Sequence, residues 1–175
     1  MTAEYIYKCA DALKKVFKTG DPDEILRMRG AKIKNTLPDS LRGMICIVDG
    51  ETVVFVGESK SEGARTAELA RLLGHAVLHR DRLLSGESFE DVYYPKNESA
   101  LDREASIFAA DLLISDEKIR ELECFGYTEG QIAASLGSIR ELAPFKFFSM
   151  RCRGEGCVSE TLNKCDVELF LKSEV

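Results

Sequence analysis

Between residues 44 and 56 the chain reads Met44-Ile-Cys-Ile-Val48, then Asp49-Gly50, then Thr52-Val-Val-Phe-Val56. β-branched and aromatic side chains suit a pleated, half-buried surface. An Asp-Gly pair between two such runs is a strong signal for a two-residue turn, whose central residues both need positive φ. The segment therefore predicts an antiparallel hairpin. Ala31 to Leu37, closed by Pro38-Asp39, reads as another short strand. Almost everything else has helical period, so the expected class is α+β: a mostly helical domain with a small antiparallel sheet of about three strands.

Ala3 to Phe17 places Tyr5, Ile6, Cys9, Ala12, Leu13 and Val16 on one side of a helix that Gly20 ends. Asp21-Pro22-Asp23-Glu24 opens a second helix, with a capping Asp, Pro in the first turn and acids at the positive dipole end. That helix stops near Gly30. Glu62 to Arg82 reads as one long helix, and Ser85 to Asn97, rich in turn formers and tyrosine, as a loop. Ala100 to Ile114 is a further helix, and Ser115 starts another that ends before Gly126. Thr128 and Gln131 have the spacing of a capping box. Gly137 breaks that helix, and Ser138 begins a last one through about Met150, which Pro144 should kink or restart. Residues 1–150 are expected to form the domain, and 151–175 a tail packed on it or partly flexible, with Val167 to Leu171 as an edge strand.

The net charge of -6 argues against a broad nucleic-acid face. A local patch stays open: Thr128 to Phe148 can be read as a helix-turn-helix, with Arg140, Lys146, Arg151 and Arg153 as phosphate contacts. The same residues suit two helices completing the core, a reading that the overall acidity and the apolar stretch after Leu142 favour. No apolar run is long enough to span a bilayer, and the first residues lack the pattern of a signal peptide. The expected location is the cytoplasm. Cys9, Cys46 and Cys124 stand among apolar residues and read as buried thiols. Cys152, Cys157 and Cys165 cluster without a CxxC pair, which supports a structural zinc only weakly and leaves their role open.

Residues four apart on a helix lie one above the other. Zinc peptidases use this in H-E-x-x-H: two histidines clamp the metal and the adjacent Glu takes a proton from its bound water. Here the chain runs Glu68-Leu-Ala-Arg71-Leu72-Leu73-Gly74-His75-Ala76-Val77-Leu78-His79, followed later by Leu101-Asp102-Arg103-Glu104-Ala105-Ser106-Ile107-Phe108-Ala109-Ala110-Asp111-Leu112-Leu113-Ile114. Together these resemble the "AHELGHALLH" and "ExEAnxFAaxLLmP" helices of the ImmA/IrrE metallo-endopeptidases. The order of elements and the segment Thr128 to Gly137 are similar too, so the resemblance covers roughly residues 20 to 145. It implies a zincin-like domain. Active relatives are typically carried by prophages and mobile elements, and cleave helix-turn-helix repressors.

On that alignment Arg71 takes the first zinc-ligand position and Leu72 the general-base position, while His75 matches the second histidine and Glu104 the carboxylate ligand. An arginine offers no lone pair to a metal, and a leucine accepts no proton. The expectation is therefore a degenerate site (Arg71, Leu72, His75, Glu104) with no catalytic residue and no zinc. Arg71 would pair with Glu104 where zinc would otherwise tie the two helices; the bland alternative is a solvated Arg71 paired with Glu68. The resemblance implies a regulatory role through a repressor-type protein partner, lying along an edge strand at Thr52 to Gly57, with nucleic acid involved only indirectly. Two other readings stay open: an active metallohydrolase whose zinc sits on His75, His79 and Glu104, and a DNA-binding regulator. The sequence names no partner and no oligomeric state.

Overall fold

The computed structural model describes residues 1–37, 41–57, 61–92 and 99–155. The hairpin forms as its sequence requires. Strands β2 (Leu41–Val48) and β3 (Glu51–Val56) pair antiparallel with Ile45 opposite Val54 and Val48 opposite Glu51. Asp49 (φ 52°) and Gly50 (φ 80°) supply the two positive φ values of the turn.

The sheet departs from the expectation in two ways. It has four strands, in the order β1-β3-β2-β4, and it is mixed. Strand β1 (Lys32–Lys34) runs parallel to β3, with Ile33 opposite Val54. The cause is topological: the chain reverses between β1 and β2, so β1 runs against β2 and therefore along β3, which lies between them. The fourth strand, β4 (Phe89–Val92), pairs antiparallel with the other side of β2, Phe89 opposite Ile45, and lies inside the segment that read as a loop. Only Phe89 and Val92 are apolar there, too few to raise an alternating signal. Thr52 to Gly57 is accordingly not an edge: β3 is paired on both sides, and the sheet ends at β1 and β4.

The helices follow their caps. Thr2 caps α1 (Ala3–Phe17) at the Tyr5 amide, and Asp21 caps α2 (Pro22–Met28) at the Asp23 amide. The buried stripe of α1 is narrower than expected: Ile6, Ala10 and Leu13 face the core, while Tyr5 and Val16 are exposed. The helix ends at Lys18, which itself adopts the left-handed conformation (φ 56°), before Gly20. The expected continuous helix after Glu62 is two: α3 (Glu62–Leu78) and α4 (Arg80–Leu84) meet at His79 (φ -116°, ψ 30°). The break carries Leu83 into the core. Ser99 and Asp102 form a capping box on α5 (Ala100–Leu113), and Ser115 caps α6 (Asp116–Cys124). Thr128 and Gln131 form the expected box on α7 (Glu129–Ser135). A 3-10 helix (Gly137–Leu142) then leads into α8 (Ala143–Cys152), restarted at Pro144.

Helices α3 and α5 cross at the centre, over the sheet face that buries Ile45, Val54 and Val56. Gly74 sets their approach. A Cβ there would lie 3.1 Å from Ala105 Cα and 3.2 Å from both Ala105 O and Phe108 Cδ1. Glycine is kept despite costing a helix interior about 0.5–1 kcal/mol relative to alanine.

The segment from Thr128 to Arg153 completes the core. Lys146 Nζ donates to Asp111 Oδ1 at 2.9 Å, Ser149 Oγ to Asp111 Oδ2 at 2.6 Å, and the Arg153 guanidinium to both Asp116 oxygens at 2.9 and 3.0 Å. Lys146 also pairs with Asp116, and Arg153 lies 3.7 Å from the centre of the Tyr7 ring. Two of the four basic groups that a DNA reading would use are thus committed inside the protein. Of the isolated thiols, Cys9 and Cys46 are half-buried, whereas Cys124 is exposed at the end of α6, where its helix presents few apolar neighbours. Cys152 is exposed; Cys157, Cys165 and the strand expected at Val167 to Leu171 lie outside the described residues.

Because two of the atoms facing Gly74 are backbone, α5 must move to admit a side chain. We expect Gly74→Val to destabilise the fold by about 1–3 kcal/mol, the usual cost of overpacking, read as a lower urea midpoint with an unchanged slope.

Candidate functional site

Glu68, Arg71, Leu72 and His75 fall at helical spacing on one face of α3. That face looks into a cavity of about 200 Å³ bounded by β2, β4, α5 and the 3-10 helix before α8. Arg71 and Leu72 form its floor with His75. Glu90 and Asp91 enter from β4, Asp102 and Ser106 from α5, Glu141 and Phe145 from the C-terminal elements, and Arg42 from β2.

Arg71 is 9% exposed and fully engaged. Its Nε donates to Asp91 Oδ2 at 3.0 Å and its Nη2 to Glu141 Oε1 at 2.8 Å, with Glu68 Oε2 at 3.8 Å. Arg42 grips both oxygens of Glu141, at 2.8 and 2.9 Å, and its Nε lies 3.5 Å from the fully buried Glu68. Gly43 makes room for this: a Cβ there would come within 2.6 Å of Glu68 Oε1. Burial alone would lower the Arg71 pKa, but Asp91, Glu68 and Glu141 outweigh it and hold it above its ordinary value. Burial would likewise raise the Glu141 carboxyl, and the two arginines instead hold it low. The guanidinium is therefore a permanent cation.

The expected pair between Arg71 and Glu104 is not formed. Glu104 does not border the cavity. It accepts from His79 Nε2 at 3.0 Å and pairs with the N-terminal ammonium of Met1. Burial pushes its carboxyl up, but these two donors prevail and leave it below the ordinary range. The acid of α5 that faces His75 is Asp102, with Oδ1 3.6 Å from His75 Nε2. Helical geometry explains the difference. Residues 102 and 104 lie about 200° apart around an α-helix, so only one of them can look into the cavity. The pairing of Arg71 with Glu68 anticipated as a solvated contact exists, but buried and at 3.8 Å, secondary to Asp91 and Glu141.

His75 and His79 meet through Nδ1 at 3.1 Å, and His75 stacks on Phe89 with ring centres 4.2 Å apart. His79 therefore uses Nδ1 toward His75 and Nε2 toward Glu104, from opposite sides of its ring. His75, His79 and Glu104 make a chain rather than a set of lone pairs converging on one point. With a guanidinium at position 71 and an aliphatic side chain at 72, these donors do not make the tetrahedral set that zinc takes. Among the described residues no group of three or more His, Cys, Asp and Glu side chains is disposed to hold a metal ion.

Three contributors were not anticipated. Arg42, Asp91 and Glu141 come from distant points of the chain, and no spacing rule links them to Arg71. Asp102 did carry a signal, since it lies in the same motif two residues before Glu104.

Burial is the main cause that pushes the His75 pKa down to about 4; His79 adds to it, while Asp102 and Asp91 oppose it. A base whose folded value is depressed takes its proton first in the unfolded chain, so stability is lost as pH falls from about 6.5 toward 4. We expect the urea midpoint to drop across that window, and an NMR titration of His75 to have its midpoint near the lower end. A midpoint near 6.5 would contradict the buried placement.

The comparisons agree with the geometry. A peptidase family model described as the IrrE N-terminal-like domain matches residues 26–147. Among curated proteins, none matches the chain at a significant level. The matched span takes in the sheet, the crossing of α3 and α5, the cavity and most of the C-terminal helices. The chain belongs to the IrrE N-terminal-like family, of the ImmA/IrrE metallopeptidase type.

Proposed function

We propose that this chain is a non-catalytic member of the family that works in the cytoplasm, regulating gene expression by binding a repressor-type protein of the helix-turn-helix class. The observation that carries this reading is the pairing of Arg71 with Asp91 and Glu141, beside Leu72. The position that would capture a metal holds a fixed positive charge, and the position that would take a proton has no acceptor. General-base help alone contributes about 10²–10⁴-fold in rate. Glu68, Asp91 and Glu141 do not stand in for it, because arginines occupy all three. What the cleft retains is a strand beside it. Strand β4 ends the sheet next to the cavity, and among the described residues nothing pairs with its outer side. Edge strands take extended segments through backbone hydrogen bonds, so the partner segment belongs on β4 rather than at Thr52 to Gly57.

The metallohydrolase reading through His75, His79 and Glu104 is weakened by the engagement of both His79 nitrogens, with His75 and with Glu104. The DNA reading is weakened by the burial of Lys146 and Arg153.

The test uses the purified chain with a helix-turn-helix repressor encoded beside its gene. We expect a complex on size-exclusion chromatography and an intact repressor by mass spectrometry after prolonged incubation with zinc. EDTA-sensitive cleavage of the repressor would overturn the non-catalytic reading, and the absence of a complex would overturn the partner.

A further inference from the structure

The cavity is electrically unbalanced. Four carboxylates, those of Glu68, Asp91, Asp102 and Glu141, stand around the two guanidinium groups of Arg42 and Arg71. The arginines are committed to Glu68, Asp91 and Glu141. Asp102 has only its own helix cap and His75 at 3.6 Å.

Two buried polar groups point the same way. The Ser106 hydroxyl borders the cavity at 4% exposure and makes no hydrogen bond among the described residues. His75 is 5% exposed, and its Nε2 faces the cavity with no partner inside hydrogen-bond distance. Both side chains are more than nine-tenths buried, and both border the cavity, where an incoming group would meet them.

Resting on the reading that the cleft holds a partner segment, we propose that this cavity receives the charged end of an arginine or lysine side chain from a polypeptide lying along β4. The donor set selects the ligand class. A small anion would face the carboxylate of Asp102. A metal ion needs ligands that converge on one point, and these do not. A guanidinium offers five N–H groups in a fork and an ammonium three. Asp102 and Ser106 are one helical turn apart on α5 and border the same cavity, so either cation would meet both without displacing Arg71. Leu72 and Phe145 border the same cavity and supply apolar walls for the aliphatic stem, which long basic side chains bury while keeping the charged end paired. The charge of the whole chain, -6, favours approach of a basic partner.

The test titrates the full chain with blocked seven-residue peptides of alternating valine and threonine, carrying a single central arginine, lysine, glutamine or glutamate, followed by amide chemical shifts. We expect the arginine and lysine peptides to bind at least tenfold more tightly than the glutamine peptide, with shifts on β4 and the first turns of α5. Asp102→Asn, which can still accept in its helix cap, should reduce that preference severalfold, whereas Glu90→Gln, on the opposite face of β4, should leave it unchanged. Equal affinity for all four peptides would overturn the basic-side-chain pocket and leave segment binding in place. Failure of the cationic peptides to bind, or a preference unchanged in Asp102→Asn, would also overturn it. Cleavage of any peptide, read by mass spectrometry on the same samples, would instead count against the non-catalytic reading.

Discussion

A guanidinium buried on the central helix fixes the arrangement of everything around it. Arg71 cannot shed its charge, and a desolvated cation is tolerated only with partners close by. Asp91 brings in the edge strand, Glu141 brings in the 3-10 helix before α8, and Glu68 lies one turn back on α3 itself. Arg42 then shares Glu141 and Glu68 and ties β2 to the same cluster. Elements far apart in sequence are thus joined around one side chain. The local electrostatics are inverted relative to a metal centre: the fixed cation belongs to the protein, and the surrounding carboxylates serve it.

The histidines show how the remaining chemistry was redistributed. His75 keeps its place on the cavity floor, stacked on Phe89 and bonded to His79. His79 in turn connects to Glu104 on the far side of α5. The same residue stands at the break between α3 and α4, so its backbone conformation and its two ring contacts serve one local structure. Glu104 is thereby drawn out of the cavity, and Asp102 is the acid left facing it.

The sequence carried the local features and missed the distant ones, for a physical reason. Asp49-Gly50, the caps at Thr2, Asp21, Ser99, Ser115 and Thr128, and the restart at Pro144 are decided by neighbours within four residues, and they are present in the fold. Arg71, Leu72 and His75 were legible because a helix fixes their relative positions. The acids that answer Arg71 were not, since Asp91 is 20 and Glu141 is 70 residues away. Strand β4 escaped notice because pairing with β2, rather than its own composition, makes it a strand. The choice between Asp102 and Glu104 depended on the rotation of α5 against α3. That rotation is set by the contact at Gly74, which a motif cannot report.

The central claim is that Arg71 stands as the cation of this cleft and leaves no place for zinc. Calorimetric titration of the purified chain with zinc tests it most directly, with Arg71→His titrated alongside. We expect no stoichiometric uptake by the unaltered chain and a measurable gain in the variant, where an imidazole on α3 would join His75. One tightly held zinc per unaltered chain, lost when His75 is replaced by alanine, would contradict it.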